Sequence, residues 1–224
     1  MAERSHWEIF RTTTTEGCRM MLKCGMCNTY RISPKAGDKR AYVMRVNDVA
    51  SGITRKLVRK TDAAPVIRAD GAVTMMRWGG HRSFQTAINN ARCERLASGM
   101  WSEAYRERRC LIPMSSYYEW SGDGRKQAYE ICNLGDDWLW AAGLWEENAQ
   151  HGLCYSMITT NATAAVCHIH DRMPALLTPE ETERWLSGES EWSFTPFTGQ
   201  LIATPCQSPL RQPPGNIPSQ PELF

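Results

Sequence analysis

The chain has 224 residues, with 26 Lys+Arg against 24 Asp+Glu and a net charge of +2. That is the length of one ordinary domain with a sizeable core, and the balance excludes a strongly basic nucleic-acid tail, though not a local basic groove. Hydrophobic residues make up 42% and charged residues 22%, and no apolar run approaches the ~18 residues of a membrane-spanning helix. Nine cysteines cannot all pair with one another. A chain this long needs no disulfides to fold, so a reducing cytoplasmic setting is expected, and the question becomes whether one thiol is chemically special.

Residues 1–25 carry scattered charges and no continuous apolar stretch after a basic start, which is not a secretory signal. Met20, Met21 and Met26 are alternative starts. The stretch 33–64 has weak periodicity and is expected to hold a strand or a variable loop. Ala72–Trp78 reads as a strand ended by Gly79-Gly80. Ser98–Arg109 reads as a helix, with Met100, Ala104 and Tyr105 at helical spacing. Cys110–Trp120, the turn Ser121-Gly-Asp-Gly124 and Gln127–Asn133 read as a β-hairpin. Asp137–Trp145 and Leu153–Thr159 are two further strand-like runs. Asn161–Ile169 is expected as a short helical turn capped by Asn161. Thr178-Pro-Glu-Glu181 is a helix start with a capping box, and Gly188 ends that helix. From Pro205 to Phe224 there are six prolines, so this tail is expected as loop or extended chain wrapping the domain. The sum is an α+β fold, mostly antiparallel.

Four places carry groups fit for chemistry. Cys24-Gly-Met-Cys27 is a C-x-x-C that could serve zinc or redox work, with His168-x-His170 as a second ligand pair; a structural zinc site usually has two clean pairs, and only one is present. Asn89-Asn-Ala-Arg92 with Glu94 lies between a strand and a helix and on its own reads as a polar loop with a helix cap. Glu119 sits inside the aromatic run Tyr117-Tyr-Glu-Trp120. Buried among aromatics it would be a general acid or base; on an edge it would face solvent. His168-Ile-His170-Asp-Arg-Met-Pro174 gathers two imidazoles, a carboxylate and a guanidinium, suited to proton transfer and phosphate contact or to a local Asp171–Arg172 pair.

Taken in order, Met26-Cys27-Asn-Thr-Tyr30, Trp78-Gly79, Asn90-Ala-Arg92 with Glu94, Cys110-Leu-Ile-Pro113 leading to Tyr118-Glu-Trp120, and Ile169-His-Asp-Arg-Met-Pro174 resemble the SRAP family, the SOS-response-associated peptidases or abasic-site processing proteins. The resemblance runs from Met26 to near the C-terminus. It implies an SRAP-type domain over 27–224, with a mostly antiparallel sheet curled into a barrel-like core and a few flanking helices. Residues 1–26 become an extension, either a mis-assigned start or a removed leader, with translation from Met26 the favoured case.

The resemblance also implies the chemistry. Cys27 would become the N-terminal residue, and its amine and thiol would close a thiazolidine on the ring-opened aldehyde of an abasic site. Asn90, Glu119 and His170 would complete the catalytic set: Asn90 holding Cys27 and the sugar, Glu119 assisting ring opening, His170 shuttling protons. Arg31, Arg92 and Arg172 would bind phosphate, and Trp78 and Phe84 would contact the DNA, Phe84 by stacking. Thr29 stands where many members carry Arg. The expected partner is single-stranded DNA containing abasic sites, bound by a monomer with no metal or cofactor and no membrane contact. A thiol autopeptidase that removes its own leader, and a non-catalytic zinc or single-strand-binding module, are the alternatives.

Overall fold

The computed structural model describes residues 28–211 except 37–38, 83–84, 98, 123–125, 136 and 191; side chains are not described for 81–82, 85–86 and 211. In chain order the elements are β1 (Thr29–Arg31), α1 (Ala41–Gly52), β2 (Leu57–Arg59), β3 (Ala63–Arg68), β4 (Val73–Trp78), β5 (Gly80–Arg82), β6 (Gln85–Ile88), β7 (Asn90–Arg92), α2 (Ser102–Glu107), β8 (Arg109–Met114) and β9 (Ser116–Trp120). They continue with β10 (Ala128–Asn133), β11 (Leu139–Asn148), β12 (Gly152–Asn161), β13 (Arg172–Pro174), β14 (Leu176–Leu177), α3 (Pro179–Leu186) and β15 (Leu201–Cys206).

Five strands close on themselves. β12 pairs with β4, β4 with β3, β3 with β8, β8 with β11, and β11 returns to β12. Only the β12–β4 step of this ring is parallel. Closure leaves no ring strand with an open edge. Its strands are buried on both faces, with alternating side chains such as Val66, Ile67, Leu111, Ile112, Ala142 and Met157 all fully buried. Gly143 of β11 allows the tight fit. A Cβ there would lie 2.8 Å from Cδ1 of Ile112 and 2.9 Å from Sγ of Cys110.

A second sheet, in the order β15-β10-β9-β1-β2, packs beside the barrel. The chain crosses between the two at Ser115. Met114 still pairs with Leu139 of the barrel, whereas Ser116 pairs with Arg31 of the second sheet. At the crossing, the Ser115 backbone N–H and hydroxyl both donate to the Arg31 carbonyl, at 2.9 and 3.1 Å. The expected single run Cys110–Trp120 is therefore two strands in two sheets, and the expected hairpin is β9 with β10.

The expected α+β class with a barrel-like core and few helices is what the chain adopts. Three local expectations are corrected. The stretch 33–64 holds the expected strand, β2, but also the unexpected helix α1, whose Val43, Val46 and Ala50 form one buried stripe. Its valines are weak helix formers and Arg40 at the N-cap gives no side-chain cap bond, so packing rather than local preference makes this helix. The Ser98–Arg109 helix shortens to α2, preceded by two 3₁₀ turns. Asn161 caps no helix; residues 164–169 are turns, and its side chain is used elsewhere. Helix α3 is as read: the Thr178 hydroxyl accepts from the Glu181 N–H, Glu181 reciprocates, and Gly188 follows at φ 79°. Trp185 of α3 is fully buried and donates to the Cys110 carbonyl at 2.9 Å, a burial worth about 2–3 kcal/mol that fixes the helix on the barrel. Of the expected tail 205–224, Pro205 and Cys206 end the edge strand β15, which lies on β10, Pro209–Arg211 form a 3₁₀ turn, and residues 212–224 lie outside the described residues. None of the six described cysteines is in a disulfide.

Candidate functional site

Asn28, where the described chain begins, is held from two sides. Its carbonyl accepts from the Lys60 N–H at 3.2 Å, and its side-chain oxygen accepts from the Asn89 side-chain amide at 2.9 Å. The next residues form β1, paired with β2 on one side and β9 on the other. Tyr30 then reaches into the interior. Its hydroxyl shares a 2.6 Å hydrogen bond with that of Tyr155 on β12, and its ring meets Trp78 edge-on at 5.1 Å. Trp78 in turn stacks on Tyr155 and donates its indole N–H to the Asn89 carbonyl at 2.8 Å. This nucleus ties Asn28 and Asn89 to both sheets. Burial pushes the Tyr155 hydroxyl well above its ordinary pKa, so it stays a neutral hydrogen-bonding group. Trp78, expected to contact DNA, is fully buried and offers no surface to a ligand; its role is structural.

Gly79 takes the chain out of that nucleus at φ 103° and donates its N–H to the Tyr155 carbonyl at 2.8 Å. Residues Asn90–Arg92 then run parallel to β12, with Asn90 opposite Met157 and Arg92 opposite Thr159. The expected polar loop is thus a short strand. Alternation puts buried Ala91 on one face and Asn90 and Arg92 on the other. Arg92 is exposed.

Glu119 sits near the end of β9, opposite Tyr129 of β10. It is only 3% exposed and shares a strand face with buried Tyr117. One carboxylate oxygen accepts from the Trp120 N–H at 3.2 Å. Of the two sequence readings, buried acid or solvent-facing edge, the first holds. Tyr129 meets the exposed imidazole of His168 edge-on at 6.3 Å, which joins the Glu119 strand to the turn carrying His170.

His170 is buried, 6% exposed. Its Nδ1 accepts from the Arg172 N–H at 3.0 Å and lies 3.1 Å from the Asp171 carboxylate and 3.2 Å from the Arg172 carbonyl. One nitrogen cannot accept and donate at once. The neutral ring with Nδ1 bare takes the N–H; the protonated ring offers its N–H to the carboxylate or carbonyl. Both charge states therefore have a partner at Nδ1.

Arg172 is 9% exposed. Its Nη1 donates to Glu94 Oε1 at 2.6 Å and to the Asn161 side-chain oxygen at 2.7 Å; its Nη2 donates to Glu94 Oε2 at 3.1 Å and to the Thr159 carbonyl at 2.6 Å. The guanidinium holds the Glu94 carboxyl down at about 2. Both terminal nitrogens of Arg172 are committed inside the protein, which corrects its expected use as a phosphate ligand. Arg31 differs. It lies on the opposite face of the second sheet from Tyr30 and Glu119, half-exposed, with its guanidinium on the Tyr118 hydroxyl at 2.7 and 3.0 Å and on Glu130 at 3.4 Å. Burial pushes the Tyr118 hydroxyl up to about 12.

The fold therefore brings Asn90, Arg92, Arg172 and His170 to one end of β12, with Glu119 joined to them through Tyr129 and His168. Cys27 and Phe84 lie outside the described residues. Among the described residues no cluster of three His, Cys, Asp or Glu could hold a metal ion. Sequence reading gave Asn28 and Asn89 no role of their own, although their amide pair anchors the chain entry. It also left Glu94 without a role, although an acid two residues after an Asn-Ala-Arg run was the visible signal.

A closed five-stranded barrel carrying this side-chain set defines the class. Residues 26–210 match the family model of the SOS response associated peptidases, SRAP: the chain belongs to that family. It is 29% identical over 153 residues to an abasic site processing protein of Saccharomyces cerevisiae, covering 61% of this chain and 41% of that one. It is 32% identical over 117 residues to the abasic site processing protein YoqW of Bacillus subtilis, covering 49% and 52%. The chain thus spans about half the length, or less, of these curated relatives. Among solved structures it resembles a protein from Bacteroides thetaiotaomicron, with TM-score 0.66 at 22% identity, covering 81% of this chain and 92% of that one. A protein from Bordetella bronchiseptica gives TM-score 0.65 at 20% identity, covering 81% and 100%. These two likenesses concern the fold.

Proposed function

We propose that this protein processes abasic sites in single-stranded DNA by forming a covalent thiazolidine crosslink through Cys27 as its N-terminal residue. The lesion would thereby be shielded during the response to DNA damage. Family membership and the abasic-site-processing relatives support the substrate class. The observation that carries the reading is the anchoring of Asn28, the residue bonded to Cys27. Its amide is locked to Asn89 beside Asn90, on a buried aromatic nucleus, while a buried carboxylate and a buried imidazole stand on adjoining elements.

The chemistry follows from a free 1,2-aminothiol. An α-amino group has an ordinary pKa of about 7.7–8.0 and a thiol about 8.5, so useful fractions of neutral amine and thiolate exist near neutrality. Glu119 moves the proton that opens the sugar ring and exposes the C1 aldehyde. The Cys27 amine attacks that carbon, and loss of one water gives an imine. The thiol then adds across the C=N bond, forming C–S and returning a proton to nitrogen. His170, with a partner at Nδ1 in either charge state, carries protons to and from the carbinolamine. Duplex stacking buries the sugar, so a single strand is the fitting substrate, and exposed Arg92 suits its backbone.

The test uses protein whose N-terminus at Cys27 is confirmed by intact mass, incubated with single-stranded DNA carrying one abasic site. A denaturant-stable shifted band is expected, and Cys27→Ala abolishes it. Glu119→Gln and His170→Ala slow it by about 10²-fold while single-strand affinity stays unchanged. No band from the Cys27-start protein sinks the reading.

A further inference from the structure

We propose that Glu94 is a positioning residue for this reaction: through Arg172 it fixes the strand carrying Asn90 and Arg92 and the turn carrying His170 as one rigid unit. The inference rests on the proposed function, but its geometry stands apart from it. Glu94 follows Arg92 by two residues, in the 3₁₀ turn that ends β7. Its carboxylate grips both terminal nitrogens of Arg172, at 2.6 and 3.1 Å. The same two nitrogens reach the Thr159 carbonyl and the Asn161 side chain on β12. Three segments therefore converge on one guanidinium: the end of β7, the end of β12 and the start of β13.

The backbone of Arg172 does the second half of the work. Its N–H donates to Nδ1 of His170, and the Asp171 carbonyl between them accepts from the Ala162 N–H at 2.9 Å. A planar guanidinium held by a two-point carboxylate has little freedom to rotate. If the side chain of Arg172 cannot move, neither can the backbone amide that sets the ring orientation and tautomer of His170. Glu94 itself is half-exposed, so removing it opens no cavity in the core. What it removes is the anchor that couples β7 to the His170 turn.

The experiment compares wild type, Glu94→Ala, Glu94→Gln and Asn161→Ala on abasic single-stranded DNA, separating the crosslinking rate constant at saturating DNA from the DNA concentration at half-saturation. Glu94→Ala should lower the rate constant about tenfold, given the sensitivity of proton transfer to small misplacements, with half-saturation unchanged. Glu94→Gln, which keeps a carbonyl acceptor for Arg172, should recover most of the rate. Asn161→Ala removes only the second Nη1 acceptor and should lower the rate constant by a smaller factor, keeping the proposal testable if Glu94→Ala unfolds. A DNA-independent readout is the imidazole nitrogen spectrum of His170. At a pH where the ring is neutral, wild type should show a single tautomer with Nδ1 bare, and Glu94→Ala a mixture of tautomers. A change in half-saturation without change in rate constant, an unchanged imidazole spectrum, or full rate in both Glu94→Ala and Asn161→Ala would each overturn the role. Absence of crosslinking by wild type would strike the proposed function instead, and the imidazole spectrum would still decide the positioning.

Discussion

Arg31 and Arg172 were both expected to meet phosphate, and the fold gives them opposite surroundings. Arg172 is 9% exposed, and its terminal nitrogens reach a carboxylate, an amide oxygen and a backbone carbonyl. Turning it outward would strand the Thr159 carbonyl and Glu94 at once. Arg31 is 42% exposed and rests on a tyrosine hydroxyl and a distant glutamate oxygen. Water can replace either partner at little cost. The difference shows that an arginine's use is set by how many fixed acceptors converge on it and by how dry they are. Its place in a motif does not decide this.

That comparison can be broken by measurement. The largest expected effect is on stability. Arg172→Ala should cost about 3 kcal/mol in denaturant unfolding, because it leaves internal acceptors without their donor, whereas Arg31→Ala should cost less than about 1 kcal/mol. Equal losses would erase the distinction. The next effect is on pH dependence. The carboxyl of Glu94 is held at about 2, below its ordinary value, by Arg172. Its contribution to stability is therefore complete above about pH 4.5 and is lost as pH falls through 2. Glu94 is half-exposed, which limits that contribution to about 1 kcal/mol. Wild type should lose stability more steeply than Glu94→Gln between pH 4.5 and 2; parallel curves would show that the pair contributes nothing. The smallest effect is on salt dependence. Arg92→Ala and Arg31→Ala should each reduce the salt slope of single-strand binding by about 0.7, and Arg172→Ala should leave it unchanged. A slope change in Arg172→Ala alone would reverse the assignment.

Much of the fold was legible where the deciding contacts are local. The capping box of Thr178 and Glu181 and the stop at Gly188 lie within a dozen residues, and α3 appears as read. The β9–β10 hairpin follows from two aromatic runs around a turn. Helix α1 was not legible because Val43 and Val46 of its buried stripe favour strands, and no side-chain cap marks its start. The break at Ser115 was hidden for a similar reason: the aromatic and aliphatic run continues across it, and only the partner changes, from Leu139 to Arg31.

By itself the sequence determined the residue types the site would use. Glu119 stands out because a carboxylate is uncommon inside an aromatic run, whereas Asn90 and His170 were marked by the resemblance of their motifs to the SRAP family. Tertiary structure alone decided which of the marked residues face a ligand. Trp78 went to the core because Tyr30 and Tyr155, 125 positions apart, close around it. Arg172 went inward because Glu94, Thr159 and Asn161 converge from two other strands' ends. Burial and pairing across long sequence separations are properties of the closed barrel, and a linear pattern of residue types does not contain them.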